Sequence, residues 1–281
     1  MLSSSRRLFL GNLLAAASWG KTSLLSRMGL EIYSLREQAE KDLAGTLAFV
    51  RKLGIRELEV SEDLGGNPAA FRKMLDQHGL RVTSVMADYR RLSEDCDSVG
   101  AHALALGAKY VVCSTIPHHG KYLAMEDCKP AAERLNSWGE RLLRSGIHCC
   151  YHTHGTEFKP LQDGTVFDFL AKCMDPRFAN FEMDVFWIVY GGQDPVKMLR
   201  QYAGRFPLMH VKDIRKGTIL GRTPADVREE ESVPLGQGIV DLPAALRAAV
   251  TTGVRHFYIE DEAVNAAEQL PESLRYVRSL G

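Results

Sequence analysis

The body of this chain has no apolar run long enough to span a bilayer, so no integral membrane segment is expected there. It has no excess of either charge: 35 basic residues balance 35 acidic ones, and no basic stripe or tail stands out. A nucleic-acid surface is therefore not expected. Its six cysteines include no C-x-x-C pair, so neither a structural zinc site nor a thioredoxin-type site is indicated. Cys113 and the Cys149-Cys150 pair lie in apolar, strand-like runs and read as buried thiols, and no specific disulfide is predicted. No G-x-G-x-x-G follows the first strand-like run, which weakens a dinucleotide-binding reading.

What is present is an ordinary globular composition, 45% apolar and 25% charged over 281 residues. The first residues differ from the rest. Arg6-Arg7 precedes a short apolar segment, Leu8 to Ala17, that ends in Ala15-Ala16-Ala17. A charged n-region, an apolar h-region and small residues for cleavage make a signal peptide, here of the twin-arginine type. Residues 1–27 are accordingly expected to be a leader. The mature protein would be exported to the periplasm, with no stable membrane anchor once the leader is removed. The remainder, 28–281, is long enough for one barrel domain.

From Met28 onward, short β-branched or apolar runs alternate with longer amphipathic stretches. Strands are predicted at 29–33, 57–60, 81–86, 109–113, 147–152, 179–184, 207–211 and 255–260. Helices are predicted between them, among them 46–53, 68–78, 130–144, 166–173, 195–202, 242–250 and 272–280. Several end at glycine, as at Leu53-Gly54 and Leu106-Gly107. Eight strand–helix units in this length predict an α/β fold closed as a (β/α)₈ barrel. One connection is unusual. The polar stretch 215–237 carries Gly217, Gly221, Pro224, Arg228-Glu229-Glu230-Glu231 and Pro234, and reads as an active-site lid or as a solvated charged loop.

Barrels of this type place their chemistry at the carboxyl ends of the strands. Four consecutive predicted strands finish in carboxylates or imidazoles: His152-Thr153-His154 with Glu157, Glu182-Met183-Asp184, His210-Val211-Lys212-Asp213, and Glu260-Asp261-Glu262. Each follows the last by about one strand–helix unit, the long loop excepted, so Glu157, Asp184, His210 and Glu260 are expected to converge on one side of the mouth. Three carboxylates and an imidazole suit Mn²⁺, Mg²⁺ or Co²⁺, with Zn²⁺ also compatible. Without a cation, clustered carboxylates repel and raise one another's pKa. Alternation pairs His152 with His154 and His210 with Lys212 on common faces. These residues and Trp187 are candidates for substrate contacts, Lys212 for an anionic oxygen and Trp187 for a wall behind a sugar ring. The plainer readings are that Glu182 pairs with a lysine, that Asp213 caps a helix, and that His118-His119 fills a loop.

The segments Tyr151-His152-Thr153-His154-Gly155-Thr156-Glu157-Phe158, Met183-Asp184-Val185-Phe186-Trp187, His210-Val211-Lys212-Asp213, Pro234-Leu235-Gly236-Gln237-Gly238 and Tyr258-Ile259-Glu260 resemble the sugar phosphate isomerase/epimerase family of xylose-isomerase-like barrels. The resemblance covers the chain after its leader. It implies metal ligands from the ends of strands five to eight, falling here on Glu157, Asp184, His210 and Glu260. Ketose epimerases carry the first of these within the strand, where this chain has Cys149, Cys150 and Tyr151, so a nearby histidine is the other candidate. The resemblance further implies proton abstraction next to a carbonyl through an enediolate, with Glu157 and Glu260 as the bases. An isomerase or epimerase acting on a sugar or keto-sugar is the leading expectation. A lyase, dehydratase or keto-glycoside-cleaving enzyme is the alternative, and a non-catalytic sugar-binding barrel comes third; a small carbohydrate is the expected partner, and the protein as a whole is compatible with a homo-oligomer.

Overall fold

The structure is a computed structural model that describes residues 24–280. The expected leader lies almost wholly outside the described residues; its last four, Leu24–Arg27, form a 3₁₀ turn that runs directly into the first strand. No helix among the described residues is long and apolar enough to cross a membrane.

Eight parallel strands close into a barrel: β1 (Met28–Glu31), β2 (Glu57–Ser61), β3 (Arg81–Ala87), β4 (Tyr110–Cys113), β5 (His148–His152), β6 (Ala179–Asp184), β7 (Leu208–Val211) and β10 (His256–Ile259). Two further strands, β8 (Asp213–Ile214) and β9 (Ser232–Val233), form a small antiparallel ladder outside it. The barrel closes by pairing β1 with β10, Met28 opposite Phe257. Helices cover the outside, each packing an apolar stripe on the sheet. The one over Pro68–His78 shows why the sequence folds this way: Asn67 accepts the N–H groups of Ala69 and Ala70 at 3.0 Å each, Pro68 occupies the first turn, and Gly79 ends it at φ 61°.

Side-chain alternation divides the strands into two faces. Along β2, Leu58 and Val60 join the core between sheet and helices, whereas Glu57 and Glu59 turn to the interior. Along β5, Cys149 and Tyr151 face the helices while Cys150 and His152 face inward. The middle of the interior is a small apolar plug of Tyr110, Val112, Cys150, Leu208 and Tyr258. The Tyr258 hydroxyl pairs with Thr83 Oγ1 at 2.8 Å, at a shift of register between β2 and β3. Above the plug, toward the carboxyl ends, the inward residues are charged. All six cysteines are free.

Several expected elements differ, among them the last helix, which begins at Ala266 rather than at residue 272. Strand one stops at Glu31, because Glu31 Oε1 accepts the Tyr33 N–H at 3.1 Å and bends the chain into a 3₁₀ turn over Ile32–Leu35. The helix expected from Pro130 begins at Met125, with Pro130 inside it, since burial of Cys128, Ala131 and Leu135 outweighs the lost hydrogen bond. The stretch 215–237 is neither a free loop nor a helix. It folds as two 3₁₀ turns, Pro224–Asp226 and Glu229–Glu231, and returns through β9 against β8.

Candidate active site

The site is built at the carboxyl ends of β1, β2, β5, β6, β7 and β10. His210 sits at its centre. Its Nδ1 lies 2.8 Å from Glu260 Oε2, and its Nε2 lies 2.6 Å from Glu59 Oε1 and 3.4 Å from Glu182 Oε2. His152 points in from β5, its Nδ1 2.9 Å from Glu182 Oε2 and its Nε2 3.7 Å from Asp184 Oδ2. Asp184 serves two purposes. Its Oδ1 caps the short helix Val185–Tyr190 by accepting the N–H groups of Phe186 (2.8 Å) and Trp187 (3.3 Å), which leaves Oδ2 turned toward the histidines. That helix, not foreseen from the sequence, also carries Phe186 and Trp187 into the wall of the site.

Lys212 is almost fully buried. Its ammonium lies 3.0 Å from Glu260 Oε2, 3.4 Å from Asp184 Oδ2 and against Glu262, and within 5.6 Å of the Trp187 ring centre. Lys212, Glu262, Phe186 and Trp187 line a cleft, closed on its far side by Val227, Arg228, Glu229 and Ser232. The stretch 215–237 therefore roofs the cleft, as the lid reading required. It is pinned by an unexpected device. Asp213, read as a helix cap, instead accepts four N–H groups, those of Ile214, Gly236, Gly238 and Val240, at 2.9 to 3.0 Å. A Cβ on Gly238 would stand 2.1 Å from Asp213 Oδ1, so only glycine fits the clasp. The Pro234-to-Gly238 motif thus fastens the end of the roof to Asp213.

Burial and mutual repulsion dominate the electrostatics. Burial raises Glu182 well above the usual carboxylate range, and neighbouring Glu59 raises it further. Asp184 is raised by burial to about 6 against the pull of Lys212. Burial also raises Glu260, but Lys212 and His210 outweigh it and hold that carboxyl well below its ordinary value. His154, T-stacked on His152 at 4.5 Å and 5.9 Å from the Trp187 ring, is lowered by burial to about 4 and stays neutral at physiological pH.

The structure brings together Asp184, His210, Glu260, His152, His154, Trp187 and Lys212 among the residues expected at the site. It does not bring Glu157 there. Gly155 takes φ 86° and turns the chain outward, so Glu157 lies buried on the helix side of β5, hydrogen-bonded to the Tyr151 hydroxyl and 3.4 Å from the His154 N–H. This removes Glu157 from the expected ligand set and from the expected pair of bases; it braces the His152–His154 segment instead. Glu182, read as a lysine partner, pairs with His152 and His210. His118 sits in a loop against the Gly120 carbonyl, 3.0 Å away. Glu31 and Glu59 went unforeseen. Their signal was the same as for the others, an acidic residue closing an apolar strand, but on strands one and two.

The residues present fit a divalent cation. One ligand atom each from His152, Asp184 and His210 lies within 4.8 Å of the others. Asp184 Oδ2 is buried without a hydrogen bond among the described residues, with the Lys212 ammonium 3.4 Å away and ring nitrogens of His152 and His210 at 3.7 and 4.0 Å, so it can turn a lone pair to a cation. His152 donates one ring nitrogen to a carboxylate and leaves the other for a metal, the usual outer-shell arrangement.

Comparison with known proteins agrees with this architecture. Residues 47–280 match the xylose isomerase-like TIM barrel family. An inosose dehydratase of Geobacillus kaustophilus is 29% identical over 192 residues, 60% of this chain and 61% of that protein. One of Mesomycoplasma hyopneumoniae is 25% identical over 226 residues, 72% and 74% of the two chains. The crystal structure of a sugar phosphate isomerase/epimerase from Parabacteroides distasonis superposes with a TM-score of 0.71 at 26% identity, covering 95% of this chain and 98% of that one. A zinc-bound IolI protein has the same fold, with a TM-score of 0.71 at 15% identity over 90% and 96% of the chains. The chain belongs to the xylose isomerase-like TIM barrel family.

Proposed function

We propose that this chain is a divalent-metal-dependent enzyme that removes a proton next to the carbonyl of a single-ring keto-sugar or keto-cyclitol and expels a β-hydroxyl as water. The observation that carries the proposal is the convergence, at the barrel mouth, of the Glu260 carboxylate, the buried Lys212 ammonium 3.0 Å from it and the His154 imidazole stacked on His152, beside a cleft that Lys212 lines. The names of the dehydratase relatives support elimination over isomerisation.

His152, Asp184, His210 and Glu260 would hold the cation. With His152 in place of Glu157 the set has two nitrogens and two carboxylates, which favours Zn²⁺, Mn²⁺ or Co²⁺ over Mg²⁺. A divalent cation there supplies Lewis acidity that draws electron density from the substrate's carbonyl oxygen. Lys212, kept protonated by its carboxylates despite burial, donates to the oxygen on which negative charge develops. Among Glu260, Asp184 and Glu182, Glu260 alone keeps any exposure, 8%, and is the carboxylate assigned to the proton transfer. His154 Nδ1 has no hydrogen-bond partner among the described residues and lies beside the Trp187 wall. These two groups exchange the proton: the C–H bond breaks, a C=C bond forms, and the proton leaves on the departing hydroxyl.

A second reading keeps the proton transfer and returns the proton to carbon, giving an isomerase or epimerase; the name of the Parabacteroides protein favours it. One experiment separates the readings. The metal-loaded protein is incubated in deuterated water with a panel of ketoses, keto-cyclitols and 3-keto-glycosides, beside Glu260→Gln. Loss of water from a substrate is expected, with turnover lowered by about 10²- to 10⁴-fold in the variant. Deuterium incorporation without water loss selects the isomerase reading. Neither signal on any compound would sink the catalytic proposal.

A further inference from the structure

Three glutamates at the barrel mouth have no task in the proposed reaction. Glu31, Glu59 and Glu182 are 3%, 0% and 0% exposed, and each has one carboxylate oxygen (Glu31 Oε2, Glu59 Oε2, Glu182 Oε1) with no hydrogen-bond partner among the described residues. Ser84, in register beside Glu59 on β3, is also buried with its Oγ unpartnered. Buried oxygens are rarely left like this. The local charge explains little of it. Lys212 answers Asp184, Glu260 and Glu262, and a cation beside His152 and Asp184 would sit at the Nδ1 edge of His210, leaving the Nε2 edge facing acids alone.

We propose that Glu31, Glu59 and His210 form a second divalent-cation position on the Nε2 edge of the His210 ring. One ligand atom from each lies within 4.8 Å of the others; His210 Nε2 and Glu59 Oε1 share a hydrogen bond 2.6 Å long, which a cation between them would replace. The donors are mainly carboxylate oxygens, so the position suits a hard cation such as Mn²⁺ or Mg²⁺, in contrast to the nitrogen-richer position on the other edge. A neutral imidazole has one lone pair. With both positions filled, His210 therefore ligates the second cation through Nε2 and gives its Nδ1 hydrogen to Glu260, leaving His152, Asp184 and Glu260 to hold the first, which couples the two. The inference does not depend on which reaction the cleft supports.

The test is metal content of the full chain after saturation with Mn²⁺ and removal of free ion. About two equivalents per chain are expected for the unaltered protein, and about one for Glu59→Gln, for Glu31→Gln and for His152→Ala. Anomalous difference maps from Mn²⁺-soaked crystals of the unaltered protein give the same answer without relying on a variant that folds: two peaks, one on each edge of His210. A single peak beside His152 and Asp184, with about one equivalent that Glu59→Gln leaves unchanged, overturns the second position and means that shared protons neutralise the glutamates. That result leaves the proposed reaction standing. No bound metal in any form overturns both.

Discussion

The two ends of the barrel interior draw on the same strands and treat charge in opposite ways. At the floor, β2 supplies Glu57, β3 Arg81 and β10 His256. Glu57 Oε2 accepts from His256 at 2.9 Å, Oε1 accepts from Arg81, and all three side chains keep some contact with water. Burial alone would raise Glu57, but His256 and Arg81 outweigh it and hold its carboxyl below the usual range. At the mouth, two residues further along, Glu59 has lost water entirely and meets Glu31 and Glu182, with the His210 ring as its one basic partner among the described residues. Burial, and after it repulsion from Glu59, lifts Glu31 well above its ordinary value. A matched, wetted set of charges is what a barrel needs to close its end. An unmatched, dry set is a standing demand for a cation, and marks the end where the chemistry belongs.

The largest expected effect comes from removing the mouth's own ammonium. Lys212→Met leaves Asp184 and Glu260 facing each other without it, and breaking a buried pair costs about 3–5 kcal/mol. Denaturant unfolding of the metal-free protein reads this directly; a loss below about 1 kcal/mol would show that the mouth tolerates bare carboxylates and that the contrast with the floor is wrong. Next comes the roof. Gly238→Ala drives a Cβ into Asp213 and the Ile214 carbonyl, 2.1 and 2.2 Å away, and overpacking of this kind costs about 1–3 kcal/mol. If 215–237 roofs the substrate, KM rises in that variant while the metal content stays unchanged; an unaltered KM would reduce the roof to a surface strap.

The smallest effect belongs to the floor. Glu57→Gln costs no more than about 1 kcal/mol at neutral pH and leaves turnover intact. Its pH dependence has a definite sign. The folded value is depressed, so the stabilisation is present above the unfolded value of about 4.3 and disappears as pH falls through the folded one. The gap in stability between the two proteins should stay constant from neutral pH to about 5.5 and then close. A gap that widens on acidification would mean the floor glutamate is strained like those at the mouth.

Much of this was legible before any coordinates. The strand Ala179–Asp184 and the helices Pro68–His78 and Val166–Cys173 fall where periodicity, caps and glycine stops put them, because each is governed by neighbours in sequence. Asp184, His210 and Glu260 were found because strand ends in this architecture have a known destination. Glu157 was misplaced because spacing along the chain cannot tell which side of a strand a turn will leave from; a left-handed Gly155 decided that. Asp213 was misread because three of its four N–H partners come from a segment more than twenty residues away.

Composition and periodicity, being local, determined by themselves that the chain forms alternating strands and helices, that they close as a barrel, and that imidazoles and carboxylates crowd one end of it. Only the closed structure decided which of those groups share a space. Closure sets β1 and β2 beside β7 and β10, across most of the sequence, and so brings Glu31 and Glu59 to His210; it also removes water from them, and an acid's partners and solvent determine its charge far more than its place in the chain does.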